Sequence, residues 1–129
     1  MIEGSNQIDD DINFLNSLLK KRELDELKNK SDIFISKYPE HYVGFFFVAV
    51  YYFYTNNFIK AEKYLNKSID KNQNIPSVLN LMGLVKKTLG KLNDAIIYYK
   101  NALKHDFNDI SIYINLSSAF IALENYKES

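Results

Sequence analysis

The chain has 129 residues, 47% of them apolar and 25% charged, the size and make-up of one ordinary globular domain. Lysine plus arginine and aspartate plus glutamate number 16 each, so no net field draws the chain to nucleic acid or to an anionic membrane. Cysteine is absent, which excludes disulfides and thiolate metal sites.

Residues 1–7 have neither the charged start nor the apolar core of a secretory signal, and they read as disordered or cloning-derived. A first helix is predicted over about 9–21, opened by Asp9, Asp10 and Asp11, whose charges suit the positive end of a helix dipole; capping rather than metal ligation is expected of them. A second runs from about Leu24 to Lys37 and stops before Pro39, which pushes Tyr38 out of the helical region. The third, about His41 to Thr55, contains YVGFFFVAVYYFY, apolar on every side. Such a helix must be covered all round, and it falls short of the roughly 20 residues needed to span a bilayer, so burial within protein is expected.

Asn56 and Asn57 make the next turn, since asparagine tolerates left-handed backbone, and a fourth helix follows over about 58–71. Residues 76–107 hold two amphipathic helices separated by Gly90, a residue that ends a helix at little cost. Leu79, Met82, Gly83 and Leu89 share a face of the first, and Leu92, Ala95, Ile96, Tyr99, Ala102 and Leu103 a face of the second. Glycine inside a helix costs about 1 kcal/mol against alanine, so Gly83 and Ala95 mark a close crossing of the pair. A seventh helix is predicted over about 109–123, and residues 125–129 begin what reads as an eighth. Tyr113, Leu116, Phe120 and Leu123 then lack a partner hairpin, so the chain reads as a fragment or as a subunit completed by a second copy.

Shifting the sequence by 34 residues returns the same chemistry, the sign of an internal repeat. The column of Gly83 reads Leu15, Ala49, Gly83, Ser117, and that of Ala95 reads Leu27, Ala61, Ala95, Ser129. Leu79 aligns with Phe45 and Tyr113, Met82 with Phe14, Val48 and Leu116, and Tyr99 with Leu65. With its LxxMG at 79–83, LGKLNDAIIYYKNAL at 89–103 and HDF at 105–107, the third copy resembles the tetratricopeptide repeat family; Lys86 stands where the family has an aromatic and Phe107 where it has proline. The resemblance implies an all-α fold: a right-handed superhelical solenoid of antiparallel helix pairs, about three and a half repeats and seven helices. The repeats fall at 8–41, degenerate, then at 42–75, 76–109 and, in part, 110–129.

In that family the first helix of each pair lines a concave side where partner peptides lie. By column this implies a groove of Phe46, Phe47, Val50, Phe53 and Tyr54, then Asn80, Leu81, Leu84 and Lys87, then Ile114, Asn115, Ser118 and Ile121. Three fates fit this surplus apolar surface: rings packed on one another or under the first repeat, a groove for an apolar peptide or helix, or self-association. Members that clasp acidic chaperone C-termini use lysines, an arginine and asparagines; the matching columns here hold Ile12, Asn16, Phe47, Ser77 and Leu81, of which only Asn16 fits, so that clamp is not expected.

A nucleophile needs a nearby base, and the two histidines, His41 and His105, occupy turn and helix-end columns about two repeats apart. No catalytic motif, metal site or cofactor loop stands out. The leading expectation is a non-enzymatic scaffold that binds a protein or peptide, or a second copy of itself. The alternatives are a recruiting module of a larger enzyme, since similar arrays precede glycosyltransferase and sulfotransferase domains, and a homo-oligomerisation module. With no signal peptide or membrane span in the sequence, a cytoplasmic location is favoured.

Overall fold

The computed structural model describes residues 3–128, with side chains from Gln7 onward. The described residues form seven α-helices and no strand: α1 (Glu3–Lys20), α2 (Leu24–Lys37), α3 (Tyr42–Tyr54), α4 (Phe58–Lys71), α5 (Pro76–Thr88), α6 (Leu92–His105) and α7 (Ile110–Glu128). None of the described helices is long and apolar enough to cross a membrane.

Three of the turns are one motif used three times. Arg22, Asn56 and Gly90, spaced by 34, take φ of 58°, 65° and 82°. At each, the residue's own N–H bonds three positions back and the next N–H five positions back, as in Gly90 to Lys87 O (2.9 Å) and Lys91 to Lys86 O (2.8 Å). This pattern satisfies carbonyls that the end of a helix leaves without partners. The same column next holds Glu124, and there α7 runs straight on to Glu128. The expected break after Leu123 is therefore absent.

At the other end the helix also exceeds its expected length. α1 starts at Glu3, so Asp9, Asp10 and Asp11 lie in its middle turns and do not cap it. Asp11 instead fastens α1 to the end of α2: its carboxylate accepts from Gln7 Nε2 (2.9 Å), Tyr38 Oη (3.0 Å) and Lys37 Nζ (3.3 Å). Of the stretch 1–7 expected to be disordered or cloning-derived, residues 1 and 2 lie outside the described residues and 3–7 belong to α1. Ser129, the last member of the Ala95 column, also lies outside them.

Three buried clusters hold the array together. Leu15, Leu18, Leu27 and Phe34 meet Val43, Phe47 and Val50 between α1, α2 and α3. Ala49, Ala61 and Leu65 meet Val78, Met82 and Val85 between α3, α4 and α5. Leu79, Ala95, Ile96, Tyr99 and Ala102 meet Ile112 and Ala119 between α5, α6 and α7. Because α3 belongs to the first two clusters and α5 to the last two, each must be apolar on two sides. That is why α3 has almost no polar face: Val43, Phe47, Val48, Ala49 and Val50 are buried among neighbouring helices, while Phe46, Phe53 and Tyr54 are covered only in part. The crossing of α5 and α6 is set by Gly83, where a Cβ would fall 2.5 Å from Cε1 of the Tyr99 ring.

Candidate functional site

The side of the array formed by the first helices of the pairs carries an open cleft of about 270 Å³. Phe46, Val50, Phe53 and Tyr54 from α3 face Ser77, Asn80, Leu81 and Leu84 from α5, with Leu19 of α1 at one side and Asp109 at the other. The rings are held at one another's edges: Phe53 lies 5.6 Å from Tyr54 and 5.7 Å from Phe58, and Phe46 lies 5.4 Å from Phe47. The cleft is apolar with charge only at its margins. The Arg22 guanidinium, carried by the α1–α2 turn, lies 4.5 Å over the Tyr54 ring. The Asp109 carboxylate is engaged as a cap, accepting from the Ser111 backbone N–H (2.9 Å) and hydroxyl (2.6 Å).

Of the thirteen residues expected to line one groove, seven come together in this cleft: Phe46, Val50, Phe53, Tyr54, Asn80, Leu81 and Leu84. Phe47 does not. It is 3% exposed and belongs to the cluster with Leu15 and Leu18, packed between α1, α2 and α3. Lys87 donates to the Ser118 hydroxyl (2.6 Å), and Asn115 Nδ2 donates to Asn80 Oδ1 (3.0 Å), so these four form two rungs between α5 and α7. Ile114 and Ile121 are each 62% exposed and lie, with Tyr113, Ser117 and Ser118, on the open side of α7.

Leu19 and Asp109 were missed, as was Ser77 as a cleft residue. For Leu19 the signal existed, since it heads the column of Phe53, Lys87 and Ile121, but the first copy is so degenerate that its columns carry little weight.

His41 Nδ1 accepts from the Val43 N–H (3.2 Å) as the cap of α3, and burial holds its pKa below the ordinary value. His105 lies in the last turn of α6. Among the described residues, no three His, Cys, Asp or Glu side chains gather where they would hold a metal ion.

Comparison with known proteins turns on the third hairpin. Residues 76–109 match the model of the tetratricopeptide repeat. They are a tetratricopeptide repeat, and the chain has that family's fold. It is similar over 93% of its length to 95% of the first TPR of Spaghetti (RPAP3) bound to HSP90 peptide SRMEEVD, at 22% identity and a TM-score of 0.82. The first TPR domain of the human RPAP3 protein also has 22% identity, with a TM-score of 0.84 over 92% of this chain and 94% of that one. The Sgt2 TPR domain from Aspergillus fumigatus has 13% identity, with a TM-score of 0.85 over 95% and 83%. No curated protein matches the sequence. At these identities the likeness is one of fold.

Proposed function

We propose that the chain is a non-enzymatic interaction scaffold whose cleft between α1, α3 and α5 takes the apolar face of a partner peptide or helix. The observation that carries this reading is the incompletely covered set Phe46, Phe53, Tyr54, Leu81 and Leu84 around an open cleft whose lining holds a single carboxylate. Taking a large apolar side chain out of water contributes about 1.5–3 kcal/mol, so covering even a few of these would drive association. The Spaghetti (RPAP3) domain of the same fold was solved with an HSP90 peptide, SRMEEVD, which supports peptide capture as a use of this architecture. An acidic peptide of that kind does not suit this chain. The columns that would grip it hold Ile12, Asn16, Phe47, Ser77 and Leu81, and the charges at the cleft's margins are one carboxylate, Asp109, and one guanidinium, Arg22.

Selection of peptides displayed on phage against the protein tests the reading. The expected winners carry apolar or aromatic anchors three or four residues apart. Phe53→Ser or Phe46→Ser should weaken them by tenfold or more, since truncating an interface aromatic costs about 2 kcal/mol. Cooperative melting should persist in both variants. Acid-rich winners whose affinity is unchanged by Phe53→Ser would overturn the proposal.

A further inference from the structure

Two equivalent seams of the array, one repeat apart, differ in charge. Where α5 meets α4 and α6, Lys86 pairs with Glu62, Lys91 reaches the same carboxylate at 3.4 Å, and Lys86 lines a hollow of about 360 Å³ with Asp94, Ile97, Tyr98 and Asn101. Lysine and carboxylate balance there. Shifted back by 34 residues, Lys86, Asp94, Ile97, Tyr98 and Asn101 become Tyr52, Lys60, Lys63, Tyr64 and Lys67, and Glu62 becomes Lys28. Both carboxylates of the later seam are lysines in the earlier one.

The earlier seam gathers these lysines around two rings. Tyr52 of α3 and Tyr64 of α4 stack with centres 5.6 Å apart and planes 27° from parallel. The ammonium groups of Lys60 and Lys28 lie 5.3 Å and 6.0 Å from the centre of the Tyr52 ring, and that of Lys67 lies 5.0 Å from the centre of the Tyr64 ring. Lys28 has a carboxylate in reach, Asp32 at 2.7 Å. Lys60, Lys63 and Lys67 are exposed and make no ion pair among the described residues. The remaining acidic groups of α2 and α4 do not neutralise them: Glu62 is taken by Lys86 and Lys91, and Asp25, Glu26 and Asp70 form no ion pair. At 3.6 residues per turn, Lys60, Lys63 and Lys67 form one stripe of α4 about 10 Å long.

We propose that this lysine and tyrosine surface is a second binding face, which takes an acidic stretch of a partner protein. It is independent of the cleft, with which it shares no lining residue. Aspartate or glutamate side chains three or four residues apart on a facing helix recur at the interval of Lys60, Lys63 and Lys67, so several carboxylates meet the stripe together. The rings beneath Lys28, Lys60 and Lys67 already restrain their ammonium groups, so less side-chain freedom is lost on binding. The chain's net charge is zero, which makes the attraction local to this face. A nucleic-acid strand fits less well. Single strands stack their bases on free aromatic faces, whereas Tyr52 and Tyr64 stack on each other and carry lysines. The face also lacks an arginine for bidentate contact with phosphate, since the chain's one arginine, Arg22, lies over Tyr54 at the cleft.

Fluorescence anisotropy with a labelled oligoglutamate peptide tests the proposal. Binding is expected, and it should weaken roughly fivefold or more between about 0.05 and 0.3 M salt, as screening shortens the reach of exposed charges. A Lys60→Glu, Lys67→Glu double variant should bind roughly tenfold or more weakly. A Lys104→Glu, Lys127→Glu double variant makes the same change of net charge elsewhere and should alter binding by less than about twofold. All four positions are exposed, so both double variants should melt as the parent does. Absence of binding, insensitivity to salt, or equal losses in the two double variants each overturns the proposal. Tighter binding of an oligothymidylate of equal charge would assign the face to nucleic acid and overturns it too. Phe53→Ser, which disables the cleft, should leave oligoglutamate binding unchanged, so failure of one face is read apart from failure of the other; a loss there would place the acidic peptide in the cleft and overturn the second face.

Discussion

Gly83 and Tyr99 share one volume. A Cβ at Gly83 would lie 2.5–2.8 Å from three atoms of the Tyr99 ring, and that ring is fully buried, its hydroxyl pushed up to about 12 by desolvation. One repeat earlier the same two columns hold Ala49 and Leu65, a larger residue facing a smaller one in the same kind of cluster. Gly83→Ala should therefore cost about 1–3 kcal/mol through overpacking, offset in part by the better helix propensity of alanine. Combining it with Tyr99→Leu should cost less than the sum of the single changes by about 1 kcal/mol, as urea unfolding of the four proteins would show; strict additivity would mean the columns are not coupled. His41 carries a pH dependence. Its folded pKa lies below its unfolded value near 6.5, so the unfolded chain binds the extra proton, and the stability this provides is complete above that value and lost as pH falls below it. His41→Asn keeps a capping side chain and should flatten the difference in melting temperature between pH 7.5 and 5.5, about one unit either side of that value.

Helices begin and end where the local backbone chemistry allows it. α2 and α4 match their expected bounds, Leu24–Lys37 and Phe58–Lys71, because Pro39 ends the one, and the Asn56–Asn57 turn starts the other, with Asn57 accepting from the Lys60 N–H at 3.2 Å. α1 and α7 exceed theirs because their outer ends meet no such signal. At Gly90 a Cβ would touch nothing, so the cost of substitution is purely conformational. Gly90→Ala should lose about 1–2 kcal/mol, and Gly90→Asn less, since asparagine already serves at position 56; urea midpoints in the order Gly, Asn, Ala are expected. Lys86 illustrates a different rule. Standing where the family has an aromatic, it keeps the column filled by lying against α4 and pairing its ammonium with Glu62, and that hydrogen bond holds the Glu62 carboxyl below its ordinary pKa.

Across the whole molecule, three cores linked through α3 and α5 decide which apolar residues remain for a partner. Phe47 and Phe53 look alike in sequence and have different fates. Phe47→Ser should remove about 3–5 kcal/mol and broaden or abolish thermal unfolding, whereas Phe53→Ser, at the cleft, should leave the cooperative transition in place. Circular dichroism melts of the two variants check this, and equal losses would place Phe53 in the core as well.

Periodicity and turn chemistry were enough to read the helix pairs, the 34-residue register and the close crossing at Gly83, because each depends on residues a few positions apart or on one fixed interval. The division of a continuous apolar surface into core, cleft and open face was not readable in this way. Whether Phe47 or Phe46 turns inward depends on how closely α1 approaches α3, and whether Asn80 and Lys87 face a ligand or bond to Asn115 and Ser118 depends on the spacing of α5 and α7. Those distances follow from how whole helices settle against one another. Only the packed tertiary structure sets them, because they sum contacts from residues that no local pattern in the chain connects.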